Sequence, residues 1–282
     1  MILIDNTQVI LSTIFTQPNP LNLDEGMVRH IVLNTYRMYR SKFGAKYGEL
    51  VLCQDAGDSW RKDAFPLYKN NRKKTRDGDK DKWDAIFTVL DTIRSEVRDN
   101  FPYKHMRVGR CEADDVIAVL CKNFHKQEPI LIVSSDKDFN QLQQFEGVEQ
   151  YSPSTKNKTV CKDPAAFLKE HIIRGDSGDG VPNILSDDDS LANDEKRQKP
   201  ITAKRLVELM GSGSDDLFLE EEVRKNWQRN TTLIDLSKIP QEIEESILNR
   251  WREPQKVSDR SLLIPYFMKH RLKTLMESIH EF

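Results

Sequence analysis

Nothing in this sequence is long enough or apolar enough to span a membrane: no apolar run approaches the roughly 20 residues that a bilayer requires. The amino terminus, MILIDNTQ, lacks the basic start and long apolar core of a secretion signal. Four cysteines, Cys53, Cys111, Cys121 and Cys161, are widely separated, and no CxxC or HExxH is present. These absences argue against structural zinc and a disulfide framework. Cys53 and Cys121 lie among apolar neighbours and read as small core residues of a reduced, cytoplasmic protein. No GxxxxGK[ST] or GxGxxG loop is present to cradle a nucleotide phosphate. Global basicity is also missing, since the net charge is −2.

What is there is an ordinary globular composition, 38 % apolar and 31 % charged over 282 residues. That suffices for one large α/β domain, alone or with a small helical companion. A nucleic-acid-binding protein of this net charge must gather its cations locally. Arg61, Lys62, Lys69, Arg72, Lys73, Lys74 and Arg76 do so, opposed only by Asp63 and with Tyr68 interleaved. A solvated helix face is the plain alternative for a charge run. The single sign and the aromatic residue favour phosphate contact.

Three short apolar runs without alternation read as strands buried on both faces: Ile2–Ile4, Leu50–Leu52 and Ile130–Val133. Helical stripes occupy Asp24–Phe43, Asp84–Arg98 and Glu112–Phe124. Strand and helix in alternation predict a mainly parallel sheet flanked by helices. Beyond about residue 180 only helical patterns follow, at Ile201–Met210, Asp215–Trp227, Gln241–Trp251 and Ser261–Ile279. The reading is a domain over 1–180 and a smaller helical carboxy-terminal domain over 181–282. Pro182 and the acidic stretch Ser186–Lys199 have the composition of an exposed, disordered loop.

Each strand candidate runs into acid: Asp5 after the first, Asp55 after the second, Asp136 and Asp138 after the third. In open parallel sheets the carboxyl ends of the strands share one edge, where ligands bind. Glu112, Asp114 and Asp115 open a helix pattern, and Asp176 and Asp179 lie in the glycine-rich RGDSGDG. Singly, each acid is explained by a turn, a cap or a helix dipole. Together they repel, by on the order of 4 kcal/mol for each pair about 4 Å apart at an effective dielectric near 20. Divalent cations would relieve that, and an all-oxygen ligand set favours Mg²⁺ or Mn²⁺ over zinc. A pair of such ions suits phosphodiester displacement without a nucleophilic side chain. One tension is geometric. Glu112 and Asp114 do not share a helix face, so they converge only if Glu112 precedes the first regular turn.

The segments ILIDNTQ, MVRHIVLN, VLCQDAGDSWRKDAF, YKNNR, CEADDVIAVL, ILIVSSDKDF and IHEF resemble the flap-endonuclease superfamily of 5′-nucleases, nearest to its T-even bacteriophage branch. The resemblance runs nearly end to end. It implies two Mg²⁺ ions, replaceable by Mn²⁺, held by Asp5, Asp55, Asp114, Asp136, Asp138 and Asp179. Glu112 and Asp176 would act through bound water, with Asp115 beside them. In a basic gateway over 61–83, Arg61 and Lys69 would contact the scissile phosphate and Tyr68 would stack on a terminal base. Were YKNNR helical, Lys69 and Arg72 would face the same way. Arg72, Lys73 and Lys74 would bind nucleic acid. So would Lys204 and Arg205, in a helix–turn–helix element opened by GDSGDGVPN, where Gly180 replaces the family's usual Asn.

The implied activity is exonucleolytic and flap-endonucleolytic removal of RNA primers and 5′ flaps during replication. Its substrates would be branched or nicked duplexes and RNA/DNA hybrids bearing a 5′ end. The implied setting is a monomer in the cytoplasm of a phage-infected host, with a single-strand-binding protein or sliding clamp as the class of protein partner. Two other readings stand beside it. A PIN-type endoribonuclease needs no gateway and no helical tail. A non-catalytic module for branched DNA would show replaced carboxylates.

Overall fold

The computed structural model describes residues 1–71, 80–193, 195–211, 220–254 and 260–282. One six-stranded sheet organises them, with β1 Ile2–Asp5, β2 Leu50–Gln54, β3 Lys104–Arg107, β4 Ile130–Val133, β5 Val148–Ser152 and β6 Asn157–Thr159. Their order across the sheet is β3-β2-β1-β4-β5-β6. The first five are parallel, and β6 alone runs antiparallel, against β5. The three strands legible as apolar runs are thus the adjacent centre, with Ile2 opposite both Leu50 and Leu131.

Period-two alternation divides the core into two layers. Ile2, Ile4, Leu50, Leu52, Leu131 and Val133 point to one face, covered by α1 (Asn6–Ile14), α2 (Glu25–Tyr47) and α4 (Lys80–Asn100). Leu3, Val51, Cys53, Ile130 and Ile132 point to the other, under α5 (Ala113–Phe124). A short helix, α3 (Arg61–Ala64), follows β2, and α6 (Pro164–Arg174) follows β6. Cys53 and Cys121 are fully buried and all four cysteines are free thiols.

The described residues after β6 contain helices and no further strand: α7 Ala203–Gly211, α8 Glu221–Ile234, α9 Gln241–Arg252, α10 Leu263–Lys269 and α11 Lys273–Glu277. They return to both faces of the sheet. Ile243 and Ile247 of α9 join the layer under α5, whereas Tyr266, Phe267 and Phe282 pack around Phe101 in the other. The single helix expected over Ser261–Ile279 is broken at Arg271, whose φ of 55° lies in the left-handed region. Among the described residues no helix is long and apolar enough to cross a membrane.

The acidic stretch is not the loose loop its composition suggested. Asn183, Ser186 and Ser190 are buried, and Asn226 of α8 donates to the carbonyls of Ile184 and Ser186 at 3.1 Å. Its acids have local cations: Asp188 pairs with Arg229 and Asp189 with Lys196. Local pairing lets a run of like charge fold back onto the helices.

Candidate metal and nucleic-acid site

The topology brings the strand-end acids to one edge. Asp5 ends β1 and caps α1, one oxygen accepting from the Gln8 amide while the other accepts from the Ser134 hydroxyl at 2.9 Å. Asp55, just past β2, accepts from the Ala113 amide at 3.0 Å, at the start of α5. Asp136, beyond β4, caps the 3₁₀ turn Lys137–Gln144 through Asp138 N. Each acid thus gives an oxygen to the backbone, and its rotamer is set before any ion arrives.

Glu112 settles the geometric tension raised by spacing. It is the N-cap of α5, extended at φ −91° and ψ 163°, and so lies before the first turn. Asp115 turns elsewhere. Its carboxylate, 0 % exposed, accepts from the Glu112 amide and the Trp60 indole and pairs with Arg61 at 2.8 Å. Asp114, Asp138, Asp176 and Asp179 line a single hollow together with Tyr68 and Arg61.

The electrostatics record the crowding. Burial, then Asp55, pushes the Asp5 carboxyl up to about 7. Burial, then Asp138, raises Asp136 to about 6. Asp114 is driven well above its ordinary range by burial, then by Asp5 and Asp136. Glu112 goes the other way: burial works to raise it, but Lys69 and Arg61 overcome this and hold it below the usual range. Lys69 Nζ lies 2.5 Å from Glu112 and 3.5 Å from Asp179. The Tyr68 hydroxyl is 2.9 Å from an oxygen of each.

Raised carboxyls give a sign to pH dependence. Asp5 and Asp136 favour the fold while protonated. That contribution is complete below about 4 and is lost as pH rises to about 7. A divalent ion held there would compete with those protons. The stabilisation by Mg²⁺ relative to EDTA, followed by melting temperature, should therefore be small at pH 5 and large at pH 8, where ion at 100 times its Kd contributes about 2.7 kcal/mol. Equal differences at both pH values would contradict the assignment.

Several expected roles change once the side chains are placed. Arg61 is 2 % exposed, donating to the Leu233 carbonyl and pairing with Asp115 and Glu112, so it offers no free face to a phosphate in this state. Tyr68 is 3 % exposed within an apolar cluster of Phe65, Ile172, Val181 and Leu233, and no base can stack on it there. Both are drawn inward because the carboxylates need buried counter-groups. YKNNR is not helical at its start, since Lys69 has a φ of 58°. Arg72, Lys73 and Lys74 lie outside the described residues. Lys204 and Arg205 are exposed on α7, Arg205 pairing with Glu208. Residues 181–202 intervene between the RGDSGDG turn and α7.

Gly180 has a physical reason. Its φ is +71°, and a Cβ there would meet the Leu67 carbonyl at 3.2 Å and the Lys69 amide at 3.4 Å. The same close approach lets the Lys69 amide donate to the Asp179 carbonyl at 2.7 Å and Asn71 Nδ2 to the Ser177 carbonyl at 2.6 Å. Lys69 and Asn71 of the gateway are thus stitched to the acidic turn.

Two features have no counterpart in the sequence reading. His171, in the last turn of α6, is 6 % exposed and lies 3.0 Å from Asp138 and 3.4 Å from Asp176. Burial works to lower its imidazole, yet the two carboxylates raise it to about 9. Asp176 is held far below its ordinary range against burial by His171 and Lys137. The second feature is a hollow of about 370 Å³ beside Asp55, lined by Arg94, Arg98, Arg107 and Arg250. Its arginines come from α4, β3 and α9, so no local charge run announces it.

Whether the acids fit divalent ions can be judged from the donors themselves. Oxygens predominate, burial destabilises their charged forms, and the ligand atoms of Asp138, His171 and Asp176 lie within 4.8 Å of one another. Asp138 Oδ1 and His171 Nε2 are buried without an aligned hydrogen bond. Such a set fits a divalent cation.

Comparison with known proteins agrees with this geometry. The 5′-3′ exonuclease, N-terminal resolvase-like domain family matches residues 1–171, and the T4 RNase H, C-terminal family matches residues 165–282. The chain is 33 % identical to the ribonuclease H of Enterobacteria phage T4 over 290 aligned positions, covering 99 % of this chain and 95 % of that one. Flap endonuclease Xni of Shewanella sp. (strain MR-4) is 30 % identical over 134 residues, covering 45 % of this chain and 48 % of that one. Two crystal structures of bacteriophage T5 D15 share the fold at 18 % identity, one with metal ions (TM-score 0.66, covering 88 % of this chain and 98 % of that one) and one as a flap endonuclease with DNA and metal ions (0.65, 89 % and 99 %). From its strand-end acids to its last helix, this chain belongs to the 5′-3′ exonuclease family, in the branch of T4 ribonuclease H.

Proposed function

We propose that the protein is a Mg²⁺-dependent 5′-nuclease, acting as exonuclease and flap endonuclease on RNA/DNA and DNA duplexes, and that it removes primers and 5′ flaps during replication. The observation that carries this reading is the convergence of Asp5, Asp55, Asp114 and Asp136 from three adjacent strand ends and one helix start, with Lys69 beside them. Mg²⁺, or Mn²⁺ in its place, would be held by these acids with Asp138, Asp176 and Asp179, and supplies positive charge for phosphodiester displacement. Lys69 waits on Glu112. Its ammonium would meet a substrate phosphate as a compact point charge. Tyr68, whose hydroxyl is pushed well above its usual range by burial and by Asp179 and Glu112, stays protonated, and its one O–H can donate to either acid.

A labelled 5′-flap duplex tests the reading. Short 5′-terminal products should form with Mg²⁺ and disappear with EDTA or in Asp136→Asn. Binding without metal-dependent cleavage would favour a non-catalytic module, and cleavage of single-stranded RNA alone a PIN-type ribonuclease. Lys69→Ala should retain duplex binding and cut roughly 10²-fold more slowly, the loss typical for removing one preorganised charge-stabilising group. Unchanged turnover would remove Lys69 from the site.

The arginine-lined hollow is proposed to seat a substrate phosphate. Arg94 is tied to Thr7 and Asp91, whereas Arg107 donates to the Ala56 carbonyl. Arg107→Ala should make the slope of log affinity against log salt shallower by about 0.9, the increment for a single neutralised phosphate. An unaltered slope would exclude a phosphate at Arg107.

A further inference from the structure

We infer that His171 is a nitrogen ligand to the divalent ion seated between Asp138 and Asp176, which biases that half of the site toward Mn²⁺-like ions over Mg²⁺. The inference rests on the metal-dependent reading above and adds to it a ligand and a metal preference.

The positions are those of a ligand. Two cis donors about 2.1 Å from one octahedral ion lie roughly 3.0 Å apart, and Nε2 stands 3.0 Å from Asp138 Oδ1 and 3.4 Å from Asp176 Oδ2. At those distances a hydrogen bond would be expected, yet neither Nε2 nor Asp138 Oδ1 has one in alignment. Instead, the ligand atoms of Asp138, His171 and Asp176 lie within 4.8 Å of one another. The ring has little freedom to leave, being 6 % exposed and stacked on Phe167 with 22° between planes. Lys137 also reaches Asp176, at 3.0 Å, but its side chain is 55 % exposed and can swing into solvent when an ion takes its place.

Chemistry then sets the preference. Mg²⁺ is a hard cation that holds oxygen ligands and water, whereas imidazole suits borderline transition ions. An all-carboxylate site leaves the two ions close in affinity, and one imidazole separates them. The bland alternative is that His171 only balances two acids as an imidazolium. In that case its nitrogen would be displaced, not bound, when the ion enters.

Pulsed electron paramagnetic resonance of Mn²⁺ bound to the full chain distinguishes the two. The inference expects nitrogen hyperfine coupling at bound Mn²⁺, altered by ¹⁵N-histidine labelling and absent in both His171→Asn and His171→Lys. Calorimetric titration should show Mn²⁺ affinity falling in His171→Asn by more than the roughly 10- to 100-fold that loss of an outer-shell partner already causes, with a smaller change for Mg²⁺. Wild-type protein that binds Mn²⁺ and cuts a flap but shows no nitrogen coupling overturns the inference and leaves the nuclease reading intact. Coupling that persists in the variants overturns it too, by assigning the nitrogen elsewhere. Nitrogen coupling in a protein that cuts nothing with either ion supports the ligand and refutes the nuclease.

Discussion

Asp114→Asn should slow Mg²⁺-dependent flap cleavage by roughly 10²- to 10³-fold, about 2.7–4 kcal/mol of transition-state stabilisation, while making the ion-free protein more stable. The two effects share one cause. Asp114 sits in the first turn of α5, in the field of Asp5 and Asp136, and lines the hollow with Asp138, Asp176 and Asp179. Asparagine keeps the shape and removes the charge. A carboxyl whose folded-state pKa is raised binds its proton more tightly in the fold than in the unfolded chain. Its ionisation therefore costs stability as pH rises through the raised value, and an amide has no such loss. In EDTA at pH 8 the variant should melt above the wild type, and in Mg²⁺ the advantage should shrink or reverse. Cleavage at the wild-type rate, or a lower melting temperature in EDTA, would separate Asp114 from the cluster.

Arg61→Ala is expected to destabilise the fold by about 3–5 kcal/mol, the usual cost of breaking one side of a buried ion pair. Against a net stability of about 5–15 kcal/mol this is a large fraction. Arg61 is enclosed by Asp115, Glu112 and the Leu233 carbonyl of α8, so its loss strands a fully buried carboxylate. Denaturant unfolding measures the change. Combining Arg61→Ala with Asp115→Asn should cost less than the sum of the single changes, because the amide no longer needs a cation. A loss under about 1 kcal/mol for Arg61→Ala would mean that Asp115 is satisfied without it.

These two residues also show how far the sequence can be read. Asp114 is legible because its neighbours in space, Asp5 and Asp136, follow strands so apolar that their burial on both faces is plain. The same criterion passes over β3, β5 and β6, which carry His105, Gln150 and Lys158 and lie toward the sheet margins. Arg61 and Tyr68 read as substrate-facing because the resemblance gives them those roles and a charge run with an aromatic residue points outward by default. The burial of so many acids reverses that default. His171 carries no signal at all, since Asp138 is remote in sequence and nothing in EHIIRGD distinguishes a ligand from a helix-end histidine.

That Glu112 lies before the first turn of α5 is visible only in its extended backbone. Spacing alone puts it on a different face from Asp114. Gly180, which departs from the family's usual Asn, becomes intelligible with Leu67 and Lys69 against it.

That close approach carries a thermodynamic obligation. Because the Lys69 amide hangs on the Asp179 carbonyl, a phosphate that pulls on the lysine and a cation that settles on the aspartate act on one piece of backbone. By linkage, whatever factor occupancy of one lends to the affinity for the other must be returned in full. Substrate and ion should therefore shift each other's midpoint by the same ratio.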